Sequence, residues 1–161
     1  MSVKQILTLG EAKKFVTDAK TRGHRVVFAN GCFDLLHGGH ISYLEASRGF
    51  GDLLIVGLNS DASERELKGK GRPIVPEGER AELLAGMEAV DAVVIFEETT
   101  CEILLRELLP DVHAKGTDYT QETVPEREIA LELGIEIAIA GAPKENASKN
   151  IIAKMRDAES N

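Results

Sequence analysis

The run from Val26 to His40 constrains the fold more than any other stretch of the chain. It opens on an apolar, β-branched and aromatic segment, Arg25 to Phe28, of the kind that forms a buried strand. Asn30-Gly31 stops that strand. A mostly apolar link, Phe33 to Leu36, leads into His37-Gly38-Gly39-His40, after which Ile41 and Leu44 lie three apart on one helical face. A strand, a glycine-bearing turn and a helix start, in that order, bring unpaired backbone N–H groups and the positive end of a helix dipole to one point. An anion is favoured there.

The two histidines add chemistry. A spacing of three puts both imidazoles on one side of a first helical turn. The glycines between them let a bulky ligand approach the backbone. Imidazole donates hydrogen bonds to phosphoryl oxygens near neutral pH. A turn bearing two surface histidines is a second reading. A zinc site is a third, and it is disfavoured because no further Cys/His pair stands at ligand spacing. No metal ligands are assigned to the protein.

At 161 residues the chain suits one domain, 1–161, with residues 1–24 as a helical lead-in and 157–161 expected to fray. No apolar run reaches the roughly 20 residues of a membrane helix, and Met1 to Thr8 lacks a signal-peptide pattern. A cytoplasmic location and no membrane partner are the expectation. Cys32 and Cys101 form no CxxC and are expected to be reduced, packed thiols. The net charge of −8 argues against a nucleic-acid surface. An acidic protein that binds an anion must gather positive charge locally, and Arg65, Lys68, Lys70, Arg72 and Arg80 do so.

Five strands are expected, at Arg25–Asn30, Leu53–Leu58, Asp91–Phe96, Val112–Lys115 and Ile135–Ala140. Helical patterns cover Glu11–Arg22, the stretch from the histidine turn to Gly49 or Gly51, Pro76–Met87, Thr100–Leu109, Thr123–Leu133 and Asn146–Arg156. This alternation predicts an α/β fold: a single Rossmann-like domain, with a five-stranded parallel sheet and helices on both faces. Asn59-Ser60-Asp61 follows the second strand and either caps a helix or lines the site. Leu67 to Pro73 alternates glycines with cations, as a solvated surface loop or a flap over a triphosphate. Gly116 to Thr120 sits at a strand's carboxyl end, where open α/β sheets bind ligands.

Gly31-Cys32-Phe33-Asp34 followed by His37-Gly38-Gly39-His40 resembles the signature of the cytidylyltransferase-like nucleotidyltransferases. These join a nucleoside triphosphate to a phosphorylated small molecule and release pyrophosphate. Within that superfamily the chain, from about Leu7 to about Met155, is most similar to the adenylyltransferase half of bacterial ADP-heptose synthases. The match runs through Asn30 to His37, Asn59 to Ser63, Leu67-Lys68-Gly69, Gly71 to Ile74, Val90 to Val94 and Lys115 to Thr120. The resemblance implies AMP transfer from ATP to a heptose 1-phosphate on the route to lipopolysaccharide heptose. It also implies Mg²⁺ held mainly through the triphosphate, and a homodimer. That family is often fused to a sugar kinase, so a separate kinase is the expected source of the sugar phosphate.

The expected catalytic residues are His37, His40 and Lys68, with His40 nearest the α-phosphate. Gly31, Cys32, Phe33, Gly39, Arg72, Lys115, Gly116, Asp118 and Ser148 are assigned to the nucleotide. Asp34, Asn59, Asp61 and Arg80 are assigned to the acceptor. Two stretches depart from the family. Its last helix usually opens on a Ser-Thr-Thr or Ser-Thr-Ser run, where this chain has Asn146-Ala147-Ser148-Lys149-Asn150. Thr123 to Glu128 also fits the heptose pattern poorly. Both departures bear on the acceptor more than on the reaction. The other readings are a glycerol-3-phosphate cytidylyltransferase, a flavin-forming adenylyltransferase, and a nucleotide-binding module without turnover.

Overall fold

The apolar run that opens the histidine stretch becomes the inner strand of a sheet. A computed structural model describes residues 5–142 and 148–160. Its strands are β1 (Gln5–Leu7), β2 (Val26–Gly31), β3 (Leu53–Asn59), β4 (Ala92–Phe96), β5 (Val112–Lys115) and β6 (Glu136–Ile139). Its helices are α1 (Leu9–Thr21), α2 (Gly38–Arg48), α3 (Asp61–Lys68), α4 (Glu77–Ala85), α5 (Glu102–Leu108), α6 (Arg127–Leu133) and α7 (Ser148–Ser160). The six strands pair in the order β1-β4-β3-β2-β5-β6, all parallel.

Strand periodicity divides the core between two faces. Val26 and Phe28 join Ile55 and Val94 on the side covered by α1, α5 and α6, through Val16, Leu104, Leu105, Ile129 and others. Val27 and Ala29 join Leu54, Val56 and Val93 on the side covered by α2 and α4, through Leu44, Ala81 and Leu84. Gly57 is required by this packing, because a Cβ there would come within 2.8 Å of the Phe28 ring and 2.9 Å of Leu104. At the amino ends of the strands, aspartates accept the backbone N–H groups that no ladder takes: Asp52 from Arg25, Asp111 from Val26 and Asp91 from Leu54.

The order reverses between β2 and β5: β3, β4 and β1 lie to one side, β5 and β6 to the other. The crevice at the carboxyl ends of β2 and β5 is therefore the ligand position that such a sheet provides.

The sheet has six strands where five were expected. The additional strand, β1, pairs three residues with β4, too short a run for alternation to stand out. Helix α3 follows directly on Asn59, with the Ser60 hydroxyl accepting from Ser63 N–H, so Lys68 ends a helix instead of opening a loop. Helix α6 begins at Arg127 and not Thr123; Pro125 disfavours helical backbone in the residue before it. Residues 157–160, expected to fray, continue α7, as the helix-forming run Arg156 to Glu159 permits. Among the described residues no helix is long and apolar enough to cross a membrane.

Candidate active site

The turn between β2 and α2 is strained and clamped. Phe33 (φ 48°) and Leu35 (φ 51°) are non-glycine residues in the left-handed region, a conformation that persists only where the surroundings enforce it. Asp34, between them, is buried and supplies much of that enforcement. Its carboxylate accepts from Ile74 N–H at 2.8 Å, Val75 N–H at 3.0 Å and Arg72 Nε at 2.9 Å. Burial alone would raise its pKa, but these N–H groups and the Arg72 guanidinium outweigh that and hold it below the usual carboxylate range.

Arg80, on α4, completes the clamp from inside. It is fully buried. Its Nη1 donates to the carbonyls of Cys32 (2.6 Å) and Asn59 (2.9 Å), Nε to that of Val75 (2.8 Å), and Nη2 to Asp61 (2.7 Å). Asp61 and Glu77 in turn accept each other's backbone N–H, joining the starts of α3 and α4.

These contacts show what the residues assigned to the acceptor hold within the protein. Arg80 spends its guanidinium on backbone and Asp61, Asn59 is buried with its amide on Ser63, and Asp34 is buried under the basic loop. All three shape the turn. Asp61 is partly exposed, but it belongs to the same clamp.

The clamp aims the histidines. His37 is the N-cap of α2. Its Nδ1 accepts from Gly39 N–H at 3.1 Å, and His40 Nδ1 accepts from His37 N–H at 3.3 Å. A reciprocal capping box normally built from a hydroxyl and a carboxylate is here built from two imidazoles. Because Nδ1 accepts in both rings, the neutral tautomer of each carries its proton on Nε2. The rings stack with centroids 3.9 Å apart, so the two donors act as a pair. Phe33 lies edge-on to His40 at 5.4 Å and stacks with Tyr43 at 6.4 Å. Tyr43 donates its hydroxyl to the Ala114 carbonyl at 2.6 Å, tying α2 to β5 across the crevice.

Positive charge gathers beside this helix mouth. Lys68, Lys70 and Arg72 line a cleft of about 250 Å³ with Ile152 and Arg156 of α7. Ile152 and Arg156 are four apart and share a helical face; that α7 spacing was the available signal for Arg156, which the sequence reading left unassigned. Ser148 opens α7, but its side chain, like residues 143–147, lies outside the described residues.

Cys32 and Glu64 sit under the turn. Burial, followed by the nearby Glu64 charge, pushes the Cys32 thiol up to about 11, which leaves it protonated and unsuited to act as a nucleophile. Glu64 is fully buried, and neither carboxylate oxygen has a hydrogen-bond partner among the described residues. Burial, then the Asp34 charge, raises its pKa. No pattern in the sequence marks Glu64, since it sits in an ordinary polar helix stretch.

On the other wall, Gly116 and Asp118 follow β5 as expected. Lys115 is buried, however. It pairs with Glu126 Oε2 at 3.6 Å and lies over the Tyr119 ring at 4.9 Å, so its charge is turned toward the start of α6. Gly31 and Gly39 flank the histidine turn at the end of β2 and the first turn of α2.

A strained turn clamped by buried charge, ending on imidazole donors at a helix mouth, is an arrangement that can hold phosphate oxygens. Residues 28–154 match the cytidylyltransferase-like family model, and the chain belongs to that family. It is a nucleotidyltransferase. It is 49% identical over 152 residues to the bifunctional protein HldE of Geotalea uraniireducens, covering 94% of this chain and 31% of that protein. It is 44% identical over 155 residues to HldE of Pseudomonas paraeruginosa, covering 96% and 33%. The chain thus spans about a third of the length of these relatives. A lipopolysaccharide core biosynthesis protein from Thermoplasma volcanium superposes with a TM-score of 0.65 at 28% identity, covering 76% of this chain and all of that one. Pantothenate synthetase from Thermus thermophilus (TM-score 0.66, 16% identity, 92% of this chain and 67% of that one) shares the fold.

Proposed function

We propose that the protein transfers AMP from ATP to a sugar 1-phosphate, D-glycero-D-manno-heptose 1-phosphate by its resemblance to ADP-heptose synthases, and releases pyrophosphate. The observation that carries this reading is the imidazole pair, whose Nδ1 atoms are committed to backbone N–H groups at the mouth of α2. The acceptor phosphate oxygen attacks the α-phosphorus; the bond from that phosphorus to the bridging oxygen breaks, and pyrophosphate leaves with the electron pair. A phosphate nucleophile is already deprotonated, so catalysis rests on alignment and charge neutralisation.

His37 and His40 donate from Nε2 to the phosphoryl oxygens, His40 at the α-phosphate. Lys68 and Arg72 neutralise the leaving phosphates, with Lys70 and Arg156 extending the cationic wall. Mg²⁺ enters on the triphosphate as part of the substrate. The carboxylates at the turn suit that arrangement, because Asp34 and Asp61 are already taken by N–H groups and guanidinium. Gly116 and Asp118 border the nucleoside, and Ser148, which opens α7, is assigned to a phosphate. The acceptor comes from a kinase-class reaction, and the working unit is a homodimer in the cytoplasm.

The similarity to HldE and to the Thermoplasma protein supports the pathway. Pyrophosphate release measured across ATP and CTP, each with heptose 1-phosphate and glycerol 3-phosphate, tests it. Turnover confined to ATP with the heptose phosphate is the expected result. Turnover with CTP and glycerol phosphate, or nucleotide binding without product on any acceptor, would overturn it.

A further inference from the structure

Behind the crevice, on the α5/α6 side of the sheet, three side chains remote in sequence converge with no part in the chemistry above. They are Cys101, immediately before α5, His113 on β5, and Glu126, immediately before α6. All are buried, and one ligand atom from each lies within 4.8 Å of the others. Cys101 Sγ is 3.4 Å from Glu126 Oε1 and 3.9 Å from His113 Nε2. A tetrahedral zinc ion with bonds of about 2.3 Å to sulfur and about 2.0 Å to nitrogen or oxygen sets neighbouring donors roughly 3.5 Å apart. The two separations from Cys101 Sγ bracket that value, and the third pair lies within 4.8 Å. The Asn30 amide oxygen stands 2.9 Å from the same His113 nitrogen, which makes it the candidate fourth donor.

We infer that Cys101, His113 and Glu126 form a buried structural site for a thiolate-preferring divalent cation, zinc by class, at the strand-order reversal of the sheet.

The ion-free cluster is poorly satisfied. Glu126 Oε2, though ion-paired with Lys115, and His113 Nδ1 have no hydrogen-bond partner among the described residues, and the thiol donates to Glu126 Oε1. Binding would replace the thiol proton by the ion, releasing it to solvent, and the proton that His113 Nε2 donates to Asn30 Oδ1 would move to Nδ1, freeing the Nε2 lone pair for coordination. Thiolate and carboxylate together match the two charges of the ion, and Lys115, 3.6 Å from the other carboxylate oxygen, leaves the buried group one positive charge in excess. Thiolate with imidazole selects zinc over magnesium or calcium. The ion would fasten the starts of α5 and α6 to β5, and through Asn30 to the phosphate turn.

The test is to refold the metal-stripped, reduced full chain with stoichiometric Co²⁺. A thiolate-to-cobalt charge-transfer band with tetrahedral visible absorption is expected. It should be displaced by Zn²⁺, be retained in Cys32→Ser and be lost in Cys101→Ser. X-ray absorption on the zinc-loaded wild type, which needs no variant to fold, should show one sulfur scatterer with nitrogen and oxygen neighbours. A Co²⁺ complex without the thiolate band, a band that persists in Cys101→Ser, zinc bound without sulfur, or no binding of either ion would each overturn the proposal. None of these readouts depends on nucleotidyl transfer, so the site and the proposed reaction stand or fall separately.

Discussion

His37 and His40 each cap the helix through one ring nitrogen, and in the proposed reaction the other nitrogen donates to a phosphoryl oxygen. His40→Ala should therefore separate the roles by magnitude. Losing a preorganised donor at developing charge costs about 10²–10³ in kcat, whereas losing a cap acceptor costs about 1 kcal/mol of stability. Near-normal pyrophosphate release in a folded His40→Ala protein would remove that ring from the chemistry. Arg80 has the opposite profile. Arg80→Met strands the carbonyls of Cys32, Asn59 and Val75 and leaves Asp61 without its partner, so urea unfolding should show a loss of roughly 3–5 kcal/mol.

Glu64 makes a pH prediction. Its folded pKa is raised above the ordinary 4.5, so over the window from 4.5 up to the raised value the fold retains a proton that the unfolded chain releases. Stability falls as pH rises through that window and stays lower above it. Glu64→Gln should remove the fall, leaving the two proteins alike in acid and the variant more stable at neutral pH. Parallel pH–stability curves for the two proteins would contradict this.

At the scale of elements, the basic cleft joins the end of α3, the loop after it and one face of α7. In a chain of net charge −8 this is a local concentration of cations. Lys68→Ala should raise the triphosphate KM several-fold with a smaller effect on kcat, and added salt should shrink the difference between variant and wild type. Unchanged kinetics would make Lys68 an ordinary surface residue. The basic stretch was legible from its composition, but its anchoring was not. Arg72 and Asp34 are 38 residues apart, and no local pattern announces that one clamps the other. The contacts of Arg80 were hidden for the same reason. Arg80 looks like a ligand-binding cation until the fold shows it enclosed by the turn it holds.

At the scale of the whole molecule, β2 to β6 were readable because each is an apolar or alternating run bounded by turn residues, whereas β1 is three residues long and takes its strand identity from β4. The histidine turn was readable because strand, glycines and helix start are contiguous. The Cys101, His113 and Glu126 cluster was not, since only closure of α5 and α6 onto one face of the sheet unites positions scattered between residues 101 and 126.

The central claim is that a triphosphate seats on the Nε2 atoms of His37 and His40 at the mouth of α2. Imidazole nitrogen NMR on ¹⁵N-histidine-labelled protein, titrated with a non-hydrolysable ATP analogue, addresses it directly. The chain has four histidines, and His24 is exposed away from the turn and serves as the internal reference. Saturable shifts of the His37 and His40 Nε2 signals, with His24 unmoved, are the predicted result. Saturable analogue binding that leaves both signals in place would contradict the account.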